Sequence, residues 1–122
     1  MPGCAKIIYN DITSIITAGG QDSSNDPLKS IEVLNIDTNT LAPISEWILL
    51  ESELNFARKH FPSIGVIGSA LFVTGGTFSS KNASHSVEKF ENGHWIVTDE
   101  LQLATPRSGH STISVSQEWC NN

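Results

Sequence analysis

The side chains best equipped for chemistry are two cysteines, four histidines, two arginines in matching contexts and the hydroxyls of two serine-rich stretches. Cys4 and Cys120 stand near opposite ends, and nothing has the spacing of a CxxC pair or a Cys/His zinc cluster. Two unrelated thiols are the preferred reading over a disulfide. His85, His94 and the carboxylates near them have no metal-ligand spacing, and His85 reads as a solvated loop residue. There is no GxSxG elbow, no P-loop and no dinucleotide fingerprint. No catalytic residue, metal or cofactor is therefore expected, and the chain is not expected to be an enzyme. Recognition chemistry remains. The stretches QDSSNDPLK (21–29) and TFSSKNASH (77–85) are polar. Ser23, Ser24, Ser79 and Ser80, with Arg58 and Arg107, supply hydroxyl and guanidinium donors suited to a carboxylate. For the arginines, as for His60 and His110, a structural role is the stronger reading; for the loops, plain solvation competes evenly.

The elements that must hold these residues form a repeat. Gly19-Gly20 recurs as Gly75-Gly76, and Ser30-Ile31-Glu32 recurs at the same offset as Ser86-Val87-Glu88. The stretch from Trp47 to Arg58 then matches that from Trp95 to Arg107, and His60 matches His110. Block order is kept and only loop lengths differ. Inside each unit the pattern is β. Leu71 to Thr74 is a run of strand formers stopped by the glycine pair, as is Ile15 to Ala18. Asn92-Gly93 between two such runs is a hairpin signal. The strands are predicted at 5–10, 14–18, 30–36 and 47–50 in the first unit (about 5–50). In the second unit (about 60–98) they fall at 60–67, 70–74, 86–91 and 95–98, and 110–116 begins a third. Ile31 and Val33 point opposite to Leu34 and Ile36, and Val87 opposite to Phe90, so both sheet faces need cover. Trp47 and Trp95 are expected in the core, where a buried aromatic hides roughly 150–250 Å².

Composition excludes several classes. The 122 residues carry a net charge of −6 with seven scattered Lys and Arg, unsuited to a nucleic-acid backbone. Hydrophobic residues at 39% and charged residues at 16% are too apolar a mix for disorder. No run reaches the length of a membrane span. The first residues lack the features of a signal peptide, so a cytoplasmic location is expected and the Asn82-Ala83-Ser84 sequon carries little weight.

The repeat resembles the kelch family of β-propellers, whose period is about 50 residues. The resemblance rests on Gly75-Gly76, Val87-Glu88, Phe90, Trp95, Arg107 and His110 in the second unit. In the first it rests on Gly19-Gly20, Ile31-Glu32, Leu34, Trp47, Arg58 and His60. Leu34 departs from the family's aromatic. The segment before Trp47 is longer than its counterpart, which leaves Leu41 as a rival for the Trp position. The resemblance implies an all-β partial propeller: two four-stranded antiparallel blades plus the first strand of a third. It implies a module that binds a protein or peptide through its loops, as a fragment or sector of a larger ring. Self-association to complete the ring is a further expectation. The alternatives are a sector of a propeller enzyme, galactose-oxidase-like or a sugar isomerase, and a truncated gene product with no independent function. A copper site of the oxidase kind needs more tyrosine than the single Tyr9.

Overall fold

Alternating apolar residues and two-residue turns give eight strands in this computed structural model, which describes residues 2–79 and 81–115. The first sheet contains β1 (Gly3–Tyr9), β2 (Ile12–Ala18), β3 (Ile31–Asn35) and β4 (Ile48–Leu49) in that spatial order. The second contains β5 (Ser63–Ile67), β6 (Ala70–Thr74), β7 (Val87–Glu91) and β8 (His94–Val97), also in chain order. All neighbours are antiparallel. The only helical element among the described residues is a 3-10 turn at Asp99–Leu101. Asn10-Asp11 and Asn92-Gly93 take positive φ at both positions, as tight hairpins between right-twisted strands require. The fold is thus all-β, two four-stranded antiparallel sheets that do not close on themselves.

The repeat in the sequence is a repeat in the hydrogen bonds. Gly19 N donates to Ser30 O at 3.0 Å and Gly75 N to Ser86 O at 3.2 Å. Leu28 N donates to Gly20 O, and Ser84 N to Gly76 O. Leu54 N meets Lys29 O as Leu103 N meets His85 O. Gly20 N reaches Arg58 O at 2.7 Å, and Gly76 N reaches Arg107 O at 2.9 Å. The first glycine of each pair has φ near +65° (66° and 63°) and lies against the arginine carbonyl, where a Cβ would collide.

The core lies between the sheets. Ile7, Ile16, Ala18, Ile31 and Val33 of the first sheet pack with Ile64, Leu71, Val73 and Trp95 of the second, and Leu54 closes the cluster. Only one face of each sheet is covered in this way. Register places Cys4, Lys6, Ile8, Ile15, Glu32 and Leu34 on the outer face of the first sheet. Gly65, Phe72, Lys89 and Ile96 occupy the outer face of the second.

Two expectations are corrected. Trp95 is buried at 6% exposure, but Trp47 is 47% exposed. Glu32 pairs Leu49 as Glu88 pairs Val97, so Trp47 does hold the station of Trp95. Its face is the outer one, however, and nothing among the described residues covers it. The longer segment before it makes its own turn. The Asp37 carboxylate accepts hydrogen bonds from the backbone N–H groups of Asn39 and Thr40, and Ile36 bridges to Pro43. The second correction concerns the third unit. Residues 110–115 form no strand; Ser116 lies outside the described residues. The segment lies against β5 on the outer side of the second sheet, with Thr112 over Gly65 and the Ser114 hydroxyl donating to Val66 O.

Candidate functional site

The connections between strands converge at one end. Leu28 bridges Arg58, Lys59 bridges Thr77, and Ser84 bridges Arg107. Each second-to-third loop is therefore stitched to a fourth-to-first connection, with Lys59 N donating to Thr77 O at 2.8 Å and Thr77 N returning a bond at 2.7 Å.

Between these segments the second sheet carries an open cleft of about 590 Å³. Phe56 and Phe78 flank it, 49% and 55% exposed; Asn82, His85 and Pro106 line it further, and Arg58 lies beneath. The lining is mainly apolar, with a few amide, hydroxyl and imidazole groups. Such a surface suits a peptide side chain with a polar neighbour.

The arginine beneath the cleft has its donors engaged. Arg58 is 1% exposed and Glu88 fully buried. Arg58 Nη2 donates to Glu88 Oε2 at 2.8 Å and Nε to the same oxygen at 3.1 Å. Nη1 donates to Gly75 O at 2.7 Å and to Ser86 O at 3.2 Å, and Nη2 also reaches Ser86 Oγ at 2.9 Å. Glu88 Oε1 accepts from Asn55 N at 2.5 Å and Asn55 Nδ2 at 3.0 Å. Asn55 Nδ2 also reaches Trp95 O at 2.6 Å, so the connection after the first sheet is fastened to β7 and β8 of the second. Every charge is paired and hydrogen-bonded, the condition under which a buried ion pair is tolerated.

The other expected ligand residues are dispersed. Ser23 and Ser24 sit in an exposed turn built on Asp22, whose carboxylate accepts from Ser24 N at 2.8 Å and Asp26 N at 2.9 Å. Ser79 is half-buried and accepts from Lys81 N at 3.5 Å. Ser80 lies outside the described residues. Arg107 is exposed, and its guanidinium has no hydrogen-bond or ion-pair partner among the described residues. Of the five described, only Arg58 lines the cleft. Phe56, Phe78 and Asn55 were missed. The legible signal was a phenylalanine inside each polar connection, in ELNFAR and TFSSK.

Two histidines serve the same joints. Thr77 Oγ1 and His60 Nδ1 are 2.9 Å apart, and Thr74 Oγ1 and His110 Nε2 are 2.8 Å apart. Burial, and then the charge of Arg107, hold the His110 pKa below its ordinary value. Among the described residues no group of three or more His, Cys, Asp or Glu side chains is placed to hold a metal ion. No helix among them is long and apolar enough to cross a membrane. Compared with known proteins, the chain matches no family model and no curated relative.

Proposed function

We propose that the two sheets are consecutive blades of a kelch-type β-propeller, and that the chain is a protein-interaction module of the cytoplasm rather than an enzyme. The single observation behind the functional reading is the open cleft between Phe56 and Phe78. It is framed by three connections held on rigid sheets, the usual place for recognition. An extended peptide would seat an apolar side chain between the two phenyl rings. Its backbone or a polar neighbour would bond Asn82, Ser84 or His85. Supporting the propeller reading are the repeated glycine pairs, each closed by an arginine carbonyl, and two successive four-stranded sheets stacked face to face.

The test is selection of a displayed random-peptide library on the full chain, followed by calorimetry of the enriched peptides. The expected result is a peptide family bearing an aromatic or aliphatic anchor, bound about tenfold or more weakly by Phe78→Ala. Failure of any peptide to enrich, or binding by Phe78→Ala and Phe56→Ala as tight as that of the wild type, would overturn the reading.

A further inference from the structure

The junction that holds the two sheets together has an empty counterpart and an unused key on the same molecule. At the filled junction, Arg58 rests its backbone on the first sheet, with its N–H on Leu28 O at 2.9 Å and its carbonyl accepting from Gly20 N. Its side chain crosses into the second sheet and ends among Gly75 O, Ser86 and Glu88. The equivalents of those three acceptors in the first sheet are Gly19, Ser30 and Glu32, fixed by the shared hydrogen-bond pattern and strand register. These three residues line a cavity of about 220 Å³, together with Thr17, Gly20 and Gln21. Glu32 is exposed there, with no hydrogen-bond or ion-pair partner among the described residues. Where Glu88 is sealed by Arg58, Glu32 is open.

The key is Arg107. Its backbone rests on the second sheet as that of Arg58 rests on the first, its N–H on Ser84 O at 3.1 Å and its carbonyl accepting from Gly76 N at 2.9 Å. Its side chain is exposed, and by the shared hydrogen-bond pattern its backbone stands to the second sheet as that of Arg58 stands to the first. Around socket and key lie the open parts of the two outer faces, the second of which is partly occupied by the chain's own Thr112 and Ser114 over β5. Ile8 and Leu49 are 67% and 65% exposed on the first sheet, with Trp47 beside them, while Ile67 and Ile96 are exposed on the second.

We propose that the Gly19–Ser30–Glu32 cavity is an arginine socket that receives Arg107 of a second copy, so that copies of this chain associate head to tail. The contact repeats between molecules the junction already made within one. It covers the open parts of both outer sheet faces and pairs two groups of opposite charge that are otherwise open. It does not depend on what the cleft binds, since the socket and the cleft lie on different sheets. A head-to-tail contact of this kind closes into a ring where the rotation permits. Rings of about four to eight blades correspond to about two to four copies.

The test is a charge exchange on the full chain, read by analytical ultracentrifugation, with far-UV circular dichroism as the check on folding. Wild type is expected to sediment as an oligomer. Arg107→Glu places Glu opposite Glu32, and Glu32→Arg places Arg opposite Arg107, so each alone should weaken association by roughly a hundredfold. An equimolar mixture of the two restores complementary pairs wherever the variants alternate and should recover association. A wild type that stays at 13.2 kDa at all concentrations, single variants that assemble like wild type, or a mixture that stays dissociated would each overturn the proposal. Should either variant fail to fold, a peptide of residues 103–109 decides the matter. It should dissociate the wild-type oligomer in excess, and the same peptide with Ala for Arg107 should not; equal effects of the two peptides contradict the proposal.

Discussion

Arg58 shows what a single side chain contributes to this architecture. Its guanidinium spans from the first sheet's connection to a buried carboxylate on β7. Removing it strands Glu88 in the core, a change that costs about 3–5 kcal/mol. Arg58→Ala should therefore lower unfolding stability by that order in urea titration, whereas Arg107→Ala, exposed, should lie within about 0.5 kcal/mol of wild type under conditions that keep the chain monomeric. His110 makes a second prediction at this scale. Its folded pKa is depressed by burial and by Arg107. Above the ordinary histidine value both states are neutral and the group contributes nothing. As pH falls through that value, the unfolded chain takes up its proton first, and stability declines until the folded pKa is passed. His110→Asn should flatten the stability profile in the window just below the ordinary histidine pKa. An unchanged slope would exclude His110 as a contributor. The sequence marked both arginines by their matching contexts, with a structural role as the stronger reading. It could not show which had a socket within reach, because the partner Glu88 is 30 positions from Arg58.

The strands themselves were the most legible elements. All eight fall close to their expected spans, because period-two alternation and the glycine, Asn-Gly and Asn-Asp breaks are local signals. The shortest is β4, two residues that lie within the expected 47–50. Trp47 and the stretch 110–115 failed for a non-local reason. Sequence assigns a residue to a sheet face or a segment to a repeat station, but burial and laddering depend on whether another element lies opposite. The consequence is measurable. Trp95→Ala removes a ring packed on Phe90 at a centroid distance of 5.2 Å and should cost about 3–5 kcal/mol. Trp47→Ala, at the same station on the outer face, should cost about 1 kcal/mol or less in the monomer. Comparable losses would mean that the outer face of the first sheet is covered after all. The Phe56–Phe78 cleft was legible only in part. The convergence of its loops follows from antiparallel connectivity, but the choice of phenyl rings over serines as its walls does not, since a loop's composition leaves the orientation of each side chain open.

At the scale of the molecule, two sheets share one covered face each and leave the other open, on the second sheet except where Thr112 and Ser114 lie over β5. On the proposed blade reading the core between them is the interior of a longer stack; one carboxylate, Glu88, is sealed by Arg58 and the other, Glu32, is exposed. An acidic chain of this kind gains solubility from its charge but not protection of its apolar faces. The central claim is that a neighbouring unit's arginine completes each sheet. The most direct test is light scattering on the eluting full chain over a range of concentrations, with near-UV circular dichroism on the same fractions. The account predicts a mass that is a small multiple of 13.2 kDa, falling toward that value on dilution or at high salt, with an ordered tryptophan signal throughout. A single species of 13.2 kDa at every concentration and salt, with the same ordered signal, would contradict it.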